Sequence, residues 1–130
     1  MSKSEIELCG IRVFVVEDEF AVLLMVEDIL GMLGCKLAAS ASHIGPALEA
    51  ARDGAFDVAV LDINIAGDMV YPVAEVLATR KVPIVFSTGY GVAGVEEAWR
   101  VWPILQKPYR PADLGSALRQ ALTGRTADGA

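Results

Sequence analysis

The stretch Val58-Ala59-Val60-Leu61-Asp62 constrains this chain more than any other, because four consecutive apolar residues run straight into a carboxylate. A Val/Leu run without polar alternation reads as a strand covered on both faces, which is the habit of parallel strands in α/β proteins. Asp57 opens the run and Ile63-Asn64-Ile65-Ala66-Gly67 follows it as a loop. In open α/β sheets chemistry gathers at the carboxyl ends of strands. Asp62 is therefore either the cap of a loop or a working group, and its partners elsewhere decide between the two.

The rest of the chain supplies the strands and helices such a sheet needs. Ile11-Arg12-Val13-Phe14-Val15-Val16 reads as the first strand and ends in three acids, Glu17-Asp18-Glu19. A helix is expected from Phe20 to Leu33, closed by Gly34 in a left-handed C-terminal position. A short strand follows over Lys36 to Ser40, then a helix from Ile44 to Arg52 with Ser42 as its N-cap. After the Asp62 loop a helix is expected from Tyr71 to Arg80, with Pro72 in its first turn, where no N–H is needed. Pro83 to Ser87 and Pro103 to Gln106 read as the fourth and fifth strands, with only a short helix over Val95 to Trp99 between them. Pro111 to Leu122 reads as the last helix, with Leu114, Ala117, Leu118 and Ala121 on one face. Residues 1–9 read as a loose arm and residues 123–130 as a frayed tail, leaving a core of about 10–122 in one domain of 1–130.

Composition narrows the function. Hydrophobic residues make up 54% of the chain against 22% charged, which excludes disorder. The longest apolar run, Phe20 to Val26, is far short of the roughly 20 residues a bilayer requires. The first residues lack the apolar core of a secretory signal, so a cytoplasmic protein is expected. The net charge of −6 with scattered basic residues argues against nucleic acid as a partner. Cys9 and Cys35 match no metal or redox spacing and read as reduced, small hydrophobes. His43, alone at a helix start, reads as a surface or capping residue.

Five strands alternating with helices predict a doubly wound parallel sheet whose right-handed crossovers put every strand end on one rim. That rim collects Glu17 and Asp18 from the first strand, Asp62 from the third, Thr88 from the fourth and Lys107 from the fifth. Acids held together repel unless one protonates or a cation joins them. Magnesium, with its oxygen ligands and retained waters, suits two carboxylates, a backbone carbonyl and solvent. Lys107 and Thr88 are then placed to hold further oxygens of a phosphoryl group, and Asp62 becomes a nucleophile for phosphoryl transfer.

With these residues assembled, the chain resembles the receiver domains of bacterial two-component response regulators over nearly its whole length. The motifs are the acid pair in VFVVEDE, the acceptor in VAVLDIN, the hydroxyl in VFSTGY and the lysine in LQKPY. Each is weak alone; all four, in order at the ends of strands one, three, four and five, are specific. The resemblance implies a flavodoxin-like topology with strand order 2-1-3-4-5 and a phosphoryl group passed to Asp62 from a histidine kinase or phosphotransfer protein. It implies Mg2+ on Asp18, Asp62 and the Asn64 carbonyl, with Glu17 acting through water, Thr88 and Lys107 on phosphoryl oxygens, and a cis Lys107-Pro108 peptide.

Departures from the family pattern are equally informative. Receivers usually carry an aromatic three positions before the lysine, where this chain has Ile104, so the usual threonine-aromatic switch is in doubt. Tyr90 is a candidate substitute that could fold over the site; the alternative is an exposed loop tyrosine. Thr88 and Lys107 are 19 positions apart, about one helical turn fewer than in typical receivers, and Gly89, Gly91 and Gly94 weaken a helix further. A short fourth helix is expected. Ala66 and Val70 replace the proline and glycine common after the acceptor. Together with PIVFSTGY they resemble a subgroup of stand-alone alphaproteobacterial receivers with a Phe-small-Thr-Gly motif.

The first helix points to partners. Val22, Met25, Val26, Ile29, Leu30 and Leu33 have the spacing of a core-facing stripe, which leaves Phe20, Leu23 and Leu24 as a second apolar patch beside the acids. That patch is read as a kinase-docking surface, against burial under the N-terminal arm; a homodimer is left open. The favoured function is a stand-alone phosphoacceptor, with no output domain after Ala130. A receiver-like adaptor working without phosphorylation is the alternative; a flavin binder is disfavoured because Glu17-Asp18-Glu19 would repel its phosphate, and a turnover hydrolase because the sequence offers no obvious general base for water.

Overall fold

The computed structural model describes residues 7–129, with side chains described as far as residue 124. Five parallel strands form one sheet: β1 (Arg12–Val16), β2 (Lys36–Ala41), β3 (Val58–Asp62), β6 (Ile84–Thr88) and β7 (Ile104–Gln106), in the order β2-β1-β3-β6-β7. This is the expected 2-1-3-4-5 arrangement; the numbers 4 and 5 fall to a small hairpin, β4 (Asn64–Ile65) and β5 (Asp68–Met69). The helices are α1 (Phe20–Met32), α2 (Ile44–Asp53), α3 (Tyr71–Thr79) and α4 (Pro111–Gly129). None of the described helices is long and apolar enough to cross a membrane.

Strand alternation divides the interior in two. Val13, Val15, Val58, Val60, Val85 and Leu105 pack with Val26, Ile29 and Leu30 of α1 and with Leu114, Leu118 and Ala121 of α4. Phe14, Val16, Ala59, Leu61, Ile84 and Phe86 face the other way, onto Ala47 and Ala51 of α2 and Val73, Ala74 and Leu77 of α3. Successive side chains of a strand point to opposite faces, so the lack of polar alternation in β3 and β6 is the direct record of a sheet covered on both sides.

Several boundaries differ from expectation for identifiable reasons. The segment after Asp62 is a two-residue hairpin rather than an irregular loop, with Ala66 at φ +52° and Gly67 at φ +93° in its turn. The short fourth helix is reduced to two 3-10 turns, Gly91–Gly94 and Glu97–Trp99. Ser42 does not cap α2; His43 holds that position without a side-chain cap bond, and the Ser42 hydroxyl contacts His43 Nδ1 instead. α4 runs on to Gly129 because no proline follows Leu122 and one glycine lowers helix propensity by only about 1 kcal/mol. Residues 1–6 of the expected arm lie outside the described residues, while Leu8 at its other end is buried in the α1/α4 core.

Candidate functional site

Parity places the polar residues at the sheet's carboxyl rim. Continuing the alternation of Val13 and Val15 puts Glu17 on the α1/α4 face; Val60 leads to Asp62, Val85 to Ser87 and Leu105 to Lys107. The register sets Asp62 opposite Ser87 and Ser87 opposite Leu105. Lys107 continues from β7, its amide donating to the Thr88 carbonyl at 2.9 Å. Its ammonium donates to Glu17 Oε1 at 2.9 Å and to Asp62 Oδ2 at 3.1 Å. Glu17 is only 4% exposed, and its second oxygen accepts the Glu19 amide at 3.1 Å, just ahead of α1. The structure thus gathers Glu17, Asp62 and Lys107 into one hydrogen-bonded group, with Asp18 beside it. Carboxylate oxygens of Glu17, Asp18 and Asp62 all lie within 4.8 Å of one another.

Burial governs the charges here. Removal from water pushes the Glu17 carboxyl up from 4.5 to about 7, against the hydrogen bond from Lys107, and the charge of Asp62 adds to the rise. Asp62 is raised by the same loss of water, with Lys107 opposing. Burial works to lower Lys107, but its bond to Glu17 and the charges of Asp62 and Glu17 prevail and raise it. One ammonium therefore holds two crowded carboxylates, a donor set of hard oxygens that fits a divalent cation such as Mg2+. A testable consequence follows for pH. An acid whose folded value lies above its unfolded one keeps a proton that unfolding would release, so metal-free stability should fall as pH rises from about 4.5 to about 7. Added Mg2+ should offset that loss, binding about a hundredfold more tightly at the top of the window than at the bottom, because the ionised fraction of Glu17 changes by about that much. Thermal melts and calorimetric titrations across this range check it; a pH-independent Mg2+ affinity would contradict it.

The hairpin completes the rim. Asp18 Oδ2 accepts the Ala66 amide at 3.0 Å, and Asn64 Oδ1 accepts the Gly67 amide at 2.9 Å. These two bonds hold a turn in which an alanine takes a left-handed conformation. The Val70 amide donates to the Ile63 carbonyl, so the alternation of an antiparallel ladder leaves Asn64 and Met69 as a pair that does not exchange bonds. The Asn64 carbonyl is directed out of the hairpin on this pattern.

Thr88 ends β6 on the opposite face, buried, with Oγ1 accepting the Tyr90 amide at 3.1 Å. The Tyr90 ring is 82% exposed and does not cover the site. Gly94 is confined by this hydroxyl: a Cβ there would lie 2.3 Å from Thr88 Oγ1. Beyond it, the Tyr71 hydroxyl accepts the Glu96 amide at 2.9 Å, and Tyr71, Phe86 and Trp99 pack ring to ring. Trp99, Trp102 and Ile104 are each half-buried and pack against the α2/α3 core.

On α1, Phe20 is 72% and Leu24 44% exposed, as expected, while Met25 and Leu23 exchange roles. Met25 is exposed and Leu23 packs against the core. Leu23 lies three and seven positions before Val26 and Leu30 and shares their flank, so the buried arc is centred to that side of the expected stripe. Sequence reasoning missed Tyr109, whose buried hydroxyl is raised to about 12 chiefly by loss of water. It also passed over the Ala66 amide and Ser87. Tyr109 stands two positions beyond Lys107, and its signal was that parity. The Lys107-Pro108 peptide is cis, as the resemblance implied.

No protein-family model matches the chain, and no curated protein matches its sequence. Solved structures do. SdrG from Sphingomonas melonis Fr1 is 36% identical with a TM-score of 0.79 over 87% of this chain and 97% of that one. The BeF3-activated conformation of SdrG from Pseudomonas melonis Fr1 is 37% identical, with a TM-score of 0.74 over 85% and 95%. A response regulator receiver protein from Sinorhizobium medicae WSM419 is 29% identical, with a TM-score of 0.74 over 89% and 97%. With the sheet order, the acidic cluster and the bridging lysine already in place, this likeness over nearly all of SdrG settles the family: the chain belongs to the receiver domains of two-component response regulators.

Proposed function

We propose that this receiver carries a phosphoryl group on Asp62, taken from the phosphohistidine of a kinase or phosphotransfer protein. The observation that supports it most is the lysine ammonium shared between Glu17 and Asp62, which leaves one Asp62 oxygen for attack. That oxygen forms the new bond to phosphorus as the phosphorus–nitrogen bond breaks; the imidazole nitrogen leaves with the electron pair and takes a proton from solvent. Lys107 and Thr88 hold oxygens of the transferring group. Mg2+, on Asp18, Asp62 and the Asn64 carbonyl with Glu17 through water, would supply neutralisation of the phosphoryl charge when bound. Tyr90 reports the event through its amide, which is released when Thr88 turns toward the phosphoryl group.

The further placement among stand-alone, cytoplasmic alphaproteobacterial receivers rests on Phe86-Ser87-Thr88-Gly89 and on the match to almost the full length of SdrG. Recognition of the donor falls to the exposed start of α1, where Phe20 and Leu24 lie beside the acids. Leu23, being half-buried, supports this patch from beneath. Phe20→Glu should slow transfer from the cognate kinase about tenfold, as expected for an apolar anchor at an interface. Phosphorylation by acetyl phosphate should be unchanged. Parallel kinetics with both donors test this; equal loss with both would remove α1 from the docking role.

A further inference from the structure

The first 3-10 turn after β6 rests its backbone on the Thr88 hydroxyl, and one residue makes that approach possible. Gly94 is half-buried and lies outside the left-handed region that Gly91 takes at φ +62°, so it is not a positive φ that calls for glycine at position 94. Space does. A methyl group there would overlap Thr88 Oγ1 and meet Tyr90 Cβ at 3.1 Å and Thr88 Cβ at 3.3 Å. The buried hydroxyl thus sits against the bare Cα of Gly94 while it accepts the Tyr90 amide at 3.1 Å.

The backbone around this contact is pinned. Val95, the next residue, is 1% exposed and belongs to the α2/α3 core. Its amide donates to the Val92 carbonyl at 3.0 Å, and the Glu96 amide donates to the Tyr71 hydroxyl at 2.9 Å. Tyr71 is in turn stacked on Trp99, ring centroids 6.2 Å apart. The chain at 94 is therefore held firmly, whereas the oxygen it touches is the end of a side chain that one χ1 rotation moves. Crowding at this contact is relieved by the threonine and not by the turn.

We propose that Gly94 is a positioning residue whose missing side chain keeps open the seat in which Thr88 waits, bonded to the Tyr90 amide, before the phosphoryl group arrives. The inference rests on the phosphoacceptor reading above, in which Thr88 leaves that amide to hold the transferred group. It adds the residue that sets how strongly the resting position competes. A ligand that must first draw Thr88 off its seat binds more weakly by the cost of that move. Filling the seat shifts the hydroxyl in advance, so it should strengthen binding.

The test introduces Gly94→Ala into wild type and into Thr88→Ala, and reads the Tyr90 amide resonance of the ligand-free protein by NMR and the affinity for fluoroberyllate in the presence of Mg2+. In ligand-free Gly94→Ala the Tyr90 resonance should move toward its place in the wild-type fluoroberyllate complex. Affinity should rise about fivefold, the factor of one hydrogen bond that binding no longer has to break. In Thr88→Ala, which has no γ oxygen to meet the new methyl, adding Gly94→Ala should change affinity by less than about twofold. An unmoved Tyr90 resonance, or an affinity no higher than that of wild type, would overturn the proposal. So would an equal gain in both backgrounds, which would assign the effect to the turn, or loss of folding in Gly94→Ala, which would mean that the hydroxyl cannot vacate its seat. Failure of wild type itself to bind would strike the phosphoacceptor reading, and the proposal only with it.

Discussion

Asp62→Asn should abolish phosphoryl uptake, lowering the rate with either a kinase or acetyl phosphate by at least about a thousandfold, because an amide offers no nucleophilic oxygen. The same change should make the metal-free protein more stable. Asp62 is raised above its ordinary value chiefly by loss of water, with the charge of Asp18 adding to the rise and Lys107 opposing it, so in the folded state its charged form is disfavoured relative to a neutral one. The sign follows from linkage: above the unfolded carboxylate range, a neutral isostere escapes a penalty that the acid bears. Lys107 keeps Glu17 as its partner. A phosphorylation assay and a thermal melt on one preparation check both halves. A gain in stability with a loss of function is what a site strained by like charges should give; undiminished uptake would move the acceptor elsewhere.

Lys107→Met should damage both properties. It removes a donor for the phosphoryl group, and single donors of this kind are worth about 100- to 1000-fold in rate. It also strands Glu17, buried at 4% exposure, without its cation. Breaking a buried pair from one side costs about 3–5 kcal/mol, and the lower figure applies at pH 8 because Glu17 can take up a proton. At about pH 5, where Glu17 is already protonated in the folded state, the loss should be much smaller. Denaturant unfolding at the two pH values measures the difference. Equal destabilisation at both would show that the ammonium does not balance Glu17.

The contrast between these variants reflects what the sequence encodes locally and what it does not. The buried strands were legible because β3 and β6 lack polar alternation, and the rim followed once their carboxyl ends were lined up. Parity did more than motif matching could: it decides that Glu17, Asp62, Ser87 and Lys107 share one face while Thr88 lies on the other. The hairpin after Asp62 was not legible as such, because an alanine at positive φ is poor turn chemistry and is held by a carboxylate 48 positions away. The exchange of Met25 for Leu23 had the same origin. Helical spacing gives a stripe, but neighbouring elements decide where its centre lies. Tyr90 illustrates the limit for function, since its backbone amide, rather than the ring that drew attention, contacts Thr88.

The most direct measurement is the intact mass of the wild-type protein incubated with acetyl phosphate, with and without Mg2+. A carboxylate activated by a cation shared among Glu17, Asp18 and Asp62 predicts a single phosphoryl adduct that forms only when the ion is present and maps to Asp62. An adduct that forms equally well in chelator, or a folded protein that stays unmodified with the ion in excess, would contradict it.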